Sequence, residues 1–251
     1  MKKLAFIISA TLVSGTAMAT DPYQEAQNYD DNRSLIYVTD ESSDNTVNVH
    51  QSSYSNNAEN MSKVYIDDDS DHNDIYVKQA GKKNRSRAEA DEYSNYNNIG
   101  AEQYGYRNKS NNEIDDYSDG NSIYTKQYGA YNKNHVKVDE DADGNTVTLT
   151  QKGYANDSDI HIIYGDDNSV HAMSDGNHNE IDVDIYGEGA DYNTVGIDQY
   201  GDDSKARVLI DDNYYGYTAG NNIYIKQTSS DYSYVEVSNG SSHNTINNIQ
   251  L

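Results

Sequence analysis

The sequence predicts an all-β solenoid of about nine stacked strand-turn-strand repeats, cross-β in character, and three observations carry that expectation. A frame of Asn, five residues and Gln recurs at a period near 24 residues. Inside each frame the side chains alternate with period two, the pattern of a half-buried strand. The composition removes the usual ways of holding 251 residues together: there is no Cys, no Trp, one Pro, 35% hydrophobic content and a net charge of −24. High charge with low hydropathy ordinarily marks disorder, but disordered chains are poor in aromatics, and this one has 25 Tyr. Without Cys there is no disulfide framework and no thiolate metal site. The acid excess argues against nucleic acid and anionic membrane as partners, since both are polyanions.

Residues 1–19 read as a secretory signal peptide. Lys2 and Lys3 form the positive start, Leu4 to Val13 a short apolar run, and Ala17 to Ala19 a small-residue cleavage pattern. The run is too short to span a bilayer as a helix. A buried N-terminal strand is the weaker alternative. Cleavage takes away two lysines and moves the net charge from −24 to −26. Residues 20–44 lack the repeat frame; they are a candidate secretion-targeting segment, although Ser34 to Val38 also reads as an atypical capping strand.

Residues 45–251 carry the repeats. The frame occurs at Asn45–Gln51, Asn73–Gln79, Asn97–Gln103, Asn121–Gln127, Asn145–Gln151, Asn193–Gln199, Asn221–Gln227 and Asn244–Gln250. Successive starts lie 28, 24, 24, 24, 48, 28 and 23 residues apart, and a degenerate copy, Asn168–Ser174, fills the double gap. In Asn145–Gln151, Val147 and Leu149 share a face with the two amides, while Thr146, Thr148 and Thr150 share the other. β-branched residues and Asn, Asp and Gly punctuation argue against a helix.

A turn is predicted after each frame, with glycine where positive φ is needed at Gly81, Gly105, Gly129, Gly153, Gly176 and Gly201. A second alternating segment comes next, as in Asn132 to Val138 and Asn156 to Ile162. An acidic turn such as Asp139 to Asp141 then returns the chain to the next frame. The two spacings of 28 place extra residues near Ser52–Glu59 and Asp211–Gly220.

A single unit cannot bury its inner face, but stacked units can. Strands stacked in register about 4.8 Å apart put Asn over Asn and Gln over Gln. Each amide carries donor and acceptor and so bonds to its copies above and below. Glu at these places stacks like charges, and Leu forfeits the ladder. No Pro follows Pro22, as a continuous ladder requires.

The repeated order of frame, Gly and Asn, as in Asn97, Gln103, Gly105 and Asn108, or Asn121, Gln127, Gly129 and Asn132, resembles the curlin repeats of curli subunits over roughly residues 45–251. Where that family usually closes the second strand with another Gln, this chain has Ile114, Val138, Ile162, Ile185 and Ile210, and it is more acidic and less rich in Gly. The resemblance implies a secreted structural subunit that polymerises into functional amyloid fibres on the bacterial cell surface, in biofilm matrix and adhesion. It implies as partners other copies of itself, a nucleator subunit, an outer-membrane secretion channel and periplasmic accessory proteins. Major and nucleator subunits are both compatible with it, the major one being mildly favoured.

Polymerisation also follows from the solenoid alone. The ends of a stack present unpaired strand edges, and the final frame, Asn244–Gln250, is followed by no cap in this sequence. A monomeric β-solenoid adhesin is the competing reading. Acidic clusters at Asp67–Asp69, Asp115–Asp116, Asp202–Asp203 and Asp211–Asp212 keep the surface soluble and, as a further hypothesis, slow premature assembly. Tyr54, Tyr104, Tyr128 and Tyr200, with Tyr76, Tyr124 and Tyr224, form a candidate aromatic stripe, although β propensity explains them equally. The Gly-rich nonapeptides of a calcium β-roll do not occur. His161, His171 and His178 show no ligand spacing, and no catalytic motif stands out. The expectation is a protein with no enzymatic activity, no cofactor and no metal.

Overall fold

A computed structural model describes residues 4–11, 32–53, 58–212 and 217–251. The rest of residues 1–19, the first part (20–31) of the segment 20–44, Tyr54 and parts of the two long connections lie outside the described residues. Every described element is a strand, and the strands fall into two sheets.

Odd-numbered strands form the first sheet: β1 (Leu4–Thr11), β3 (Thr46–Ser53), β5 (Asp74–Lys82), β7 (Asn98–Tyr106) and β9 (Ser122–Ala130). It continues through β11 (Thr146–Tyr154), β13 (Ser169–Asn177), β15 (Thr194–Tyr200), β17 (Asn222–Gln227) and β19 (Thr245–Gln250). Even-numbered strands form the second: β2 (Arg33–Val38), β4 (Met61–Ile66), β6 (Arg85–Ala90), β8 (Lys109–Ile114) and β10 (Lys133–Asp139). To these are added β12 (Asp157–Ile163), β14 (Glu180–Tyr186), β16 (Lys205–Asp211) and β18 (Tyr232–Ser238). Neighbours within each sheet are two strands apart in sequence, so the chain alternates between the sheets as it climbs. This is the expected all-β solenoid of about nine coils.

From β2 to β19 every ladder is parallel and in register, with Gln51 beside Gln79 and Val47 beside Ile75. The exception is β1, which runs antiparallel along the outer edge of β3. Ser34 to Val38 lies within β2, parallel to β4. The extra residues of the long repeats fall between β3 and β4 and between β16 and β17.

Inward residues of both sheets meet in a narrow core of stacked aliphatic columns. Ile75, Ile99, Ile123 and Val147 form one of these, and Ile114, Val138, Ile162, Ile185 and Ile210 another, all essentially inaccessible to solvent. The aliphatic residues that stand where the resemblance led one to expect a second Gln are therefore core. Outward residues in most strands are half-buried or exposed, which is the alternation read from the sequence.

Candidate assembly site

The residues singled out in the sequence form two polar columns, the first running through every coil and the second interrupted once. The first runs through Asn45, Asn73, Asn97, Asn121, Asn145, Asn168, Asn193, Asn221 and Asn244. All of these are buried except Asn244 in the last coil. The side-chain oxygen of each Asn accepts the backbone N–H of the next, as from Asn145 to Asn121 Oδ1 at 2.7 Å and from Asn73 to Asn45 Oδ1 at 2.7 Å. Except at Asn168, whose Nδ2 is buried without a partner, the Nδ2 of the buried Asn donates to a turn carbonyl of the following coil, from Asn97 to Ser118 at 2.9 Å and from Asn121 to Ala142 at 2.8 Å. The expected amide-to-amide stacking is thus replaced, over most of this column, by bonds from side chain to backbone. The short Asn side chain at the start of a strand lies against the main chain of its neighbour. It supplies partners to groups that the sheet ladders leave over at the corner.

The second column stacks amide on amide as expected. Gln51 donates to Gln79 Oε1 at 2.7 Å, Gln79 to Gln103 at 2.8 Å, Gln103 to Gln127 at 2.9 Å and Gln127 to Gln151 at 2.8 Å. It resumes from Gln199 to Gln227 and from Gln227 to Gln250, each at 3.0 Å. Each Gln Nε2 in these rungs also clamps the two sheets by donating to a second-sheet carbonyl, as from Gln103 to Arg85 at 2.8 Å. At the degenerate copy the column breaks: Gln151 turns to Ser158 Oγ at 2.9 Å, and Ser174 Oγ donates to Gln199 Oε1 at 3.0 Å.

A third column, which the sequence reading left out of the assembly set, opens the second strands: Asn60, Asn84, Asn108, Asn132, Asn156 and Asn179, then Ser204. Its geometry repeats that of the first, with Asn108 N–H on Asn84 Oδ1 at 3.1 Å and Asn84 Nδ2 on Gly105 O at 3.2 Å. The signal was present in the sequence, since these Asn recur at 24, 24, 24, 24 and 23 residues.

The predicted turn glycines need a correction. Gly81, Gly105, Gly129, Gly153 and Gly176 lie inside strands and pair with one another in register. They form a stacked bend, and Gly201 directly follows β15. At Gly129, φ is +105° and an added Cβ would lie 2.1 Å from the carbonyl oxygen of Gly153. The reversal comes two residues later, at positive-φ positions held by Lys83, Arg107, Tyr131 and Ala155. Left-handed conformations there, uncommon for such residues, are held by backbone bonds between coils, such as Tyr131 N–H to Tyr106 O at 3.0 Å.

The acidic turns are also built into the stack. Asp119 N–H donates to Asp143 Oδ1 at 2.7 Å, Asp143 N–H to Asp166 Oδ1 at 2.8 Å and Asp166 N–H to Asp191 Oδ1 at 3.0 Å. Stacking carboxylates has an electrostatic consequence. Glu92 is pushed up to about 7, first by its hydrogen bond with Asp116 and then by the charges around it. Burial raises Asp91, Asp115 and Asp143, and their acidic neighbours add to the shift. Aromatic rings stack likewise: Tyr104 on Tyr128 with centroids 4.9 Å apart and Tyr93 on Tyr117 at 5.1 Å.

At the two ends of the stack the edges differ. β19 and β18 are the outermost strands on one side, and Ile249 of β19 is 55% exposed. On the other side β2 is outermost in its sheet, while β1 lies over β3.

A parallel two-sheet solenoid with internal amide ladders is a repeat-built structural scaffold. The family model of the curlin associated repeat matches residues 142–176, which take in β11, β12 and nearly all of β13. The chain carries that repeat, and the match supports its place in the curlin family. No curated protein matches the chain.

Proposed function

We propose that the chain is a curli-type structural subunit that stacks head to tail into functional amyloid fibres outside the cell, for biofilm matrix and surface adhesion. The observation that carries this reading is the complementarity of the two ends. The stack opens on a second-sheet strand, β2, and closes on a first-sheet strand, β19. Another copy set above β19 would lay its β2 on β18 and its β3 on β19. Inward residues would then match column by column: Ser34 on Ser233, Ile36 on Val235, Val38 on Val237, Val47 on Ile246 and Gln51 on Gln250.

The ladders have a direction that makes such a contact continuous. Donation runs from Gln227 Nε2 to Gln250 Oε1, so the Gln250 amide would in turn donate to Gln51 of the next copy. A contact between two different surfaces does not close on itself and grows as an open filament. On this reading residues 1–19 are a leader whose removal frees the β3 edge that β1 occupies. The acidic turns slow growth by repulsion until acid or salt weakens it. The major-subunit role fits a chain whose two ends can both propagate.

The test is seeded growth of the purified chain without residues 1–19, followed by dye binding and fibre diffraction. Self-seeding fibres with a repeat of about 4.8 Å support the proposal. Gln51→Glu and Gln250→Glu should each lengthen the lag, since a charge at the seam meets an amide column with no cation. A protein that stays monomeric and dye-negative at all seed concentrations supports the competing monomeric adhesin.

A further inference from the structure

The outer face of the second sheet brings His135 of β10 against Asp159 and His161 of β12, 24 and 26 residues further along the chain. In the register of β10 and β12, His135 stands directly beside Asp159, and His161 is one rung across and two residues on. His135 Nδ1 lies 3.2 Å from Asp159 Oδ1. His161 Nε2 lies 3.0 Å from the same oxygen, and the two ring nitrogens are 3.3 Å apart.

Hydrogen bonding does not satisfy this triangle. The carboxylate oxygen only accepts, so both nitrogens must carry protons to bond to it, and two donors then face each other. If either nitrogen gives up its proton to accept from the other, its own contact with the oxygen is lost. Whichever tautomers are present, at most two of the three contacts are hydrogen bonds.

A cation in place of the protons satisfies all three. A tetrahedral ion with bonds of about 2.0–2.1 Å sets its ligand atoms about 3.3 Å apart, close to the edges of this triangle. We propose that His135 Nδ1, His161 Nε2 and Asp159 Oδ1 form a site for a divalent transition-metal ion of the zinc and copper class. Imidazole with carboxylate is the donor set such ions take, whereas calcium and magnesium prefer oxygen alone.

The surroundings are those of a metal site. The second nitrogen of each ring faces its own carboxylate: His135 Nε2 is 3.4 Å from Glu113 Oε2, and His161 Nδ1 is 3.7 Å from Asp184 Oδ1. Such outer carboxylates fix ring orientation and raise ligand basicity. Glu113 is held in turn by Arg87 and by Asn111 Nδ2 at 2.7 Å, and Asp184 by Arg207 Nη2 at 3.3 Å. The nearby cation Lys137, opposite His161 in register, is drawn away to Asp139. The Asp159 side chain is 55% exposed, so the fourth position opens to solvent.

The sequence conceals this site because His135 and His161 are 26 residues apart, one repeat plus one step along the same face. The proposal is independent of polymerisation.

The test titrates the purified chain with Zn²⁺ by calorimetry and records the electron paramagnetic resonance spectrum of one equivalent of Cu²⁺. One tight equivalent is expected, with nitrogen hyperfine structure from two imidazoles. His135→Gln and His161→Gln should each weaken Zn²⁺ binding by about 100-fold, and Glu113→Gln by about 10-fold, within the range seen for outer partners. His171→Gln, on the other sheet, should change nothing. All of these substitutions are on outer faces, and circular dichroism verifies that the sheets persist. Equal Zn²⁺ affinity in the wild type and the His135→Gln/His161→Gln double variant would overturn the proposal, as would a Cu²⁺ spectrum showing oxygen ligands alone.

Discussion

The Asn145 column and the Gln151 column occupy the same sheet, six residues apart in each repeat, yet one is unbroken through every coil and the other has a gap at Ser174. The difference lies in what each amide bonds. Asn spends its oxygen and, except at Asn168, its Nδ2 on backbone groups of the next coil, groups that have no other partner at the corner. Gln bonds chiefly to another side chain and keeps a second acceptor across the core. Removing a Gln therefore leaves neighbours that still have one partner, whereas removing an Asn strands main-chain groups in a dry interior. In this sheet the side-chain ladder tolerates a gap at Ser174, and the Asn ladder that completes the backbone keeps an Asn in every coil.

The largest expected effect comes from closing the space in which the coils meet. Gly129→Ala sets a Cβ 2.1 Å from the Gly153 oxygen and should cost about 4 kcal/mol or more in urea unfolding of the monomer. Gly120→Ala, whose Cβ meets nothing within 4 Å although φ is +67°, should cost only about 1 kcal/mol. Equal losses would refute the stacked-glycine bend.

Next in size is the direct comparison of the two columns. Asn121→Ala orphans the Asn145 N–H and the Ala142 carbonyl and should cost about 3 kcal/mol, against about 1–2 kcal/mol for Gln103→Leu. A reversed order would contradict the distinction drawn above. Repairing the gap should have a smaller effect of opposite sign. Ser174→Gln restores a rung between Gln151 and Gln199 and should stabilise by about 1 kcal/mol, read as a higher denaturation midpoint.

The smallest effect is electrostatic. Burial raises Glu89 to about 7, with Arg87 opposing and Glu113 adding to the shift. Its folded pKa lies above the unfolded value, so the stability it contributes is fully present below about 4.5 and fades as pH climbs through about 7. Glu89→Gln should flatten stability against pH across that window. A wild-type curve already flat there would remove Glu89 from the explanation.

Much of this was legible in the sequence because the repeat length is nearly constant and side chains alternate. Asn73, Ile75, Val77 and Gln79 share a face in any strand, and the 24-residue spacing sets copies over one another. The bend at Gly105 was misread as a turn because a one-dimensional pattern does not separate a kink within a ladder from a chain reversal. The positive φ of Arg107 and Tyr131 gave no signal, since neither residue type favours it. The structural role of Asp143 and Asp166 was hidden by the abundance of carboxylates: solvated acids and those accepting a backbone N–H look alike in sequence. The cluster of His135, Asp159 and His161 required the register itself.

Head-to-tail stacking can be tested most directly by cross-linking across the seam. The chain has no Cys, so one cysteine introduced on each end face reports its neighbour without background. Thr46 and Thr245 open β3 and β19, and in the proposed seam they stand side by side. Adjacent strands lie about 4.8 Å apart, within the Cα separation of about 4.4–6.8 Å that a disulfide spans. When Thr46→Cys and Thr245→Cys chains are polymerised together and oxidised, stacking predicts mixed disulfides between the two variants, formed only in fibres. Cross-links between Thr46→Cys chains alone, or a mixture that never leaves the monomer, would contradict it.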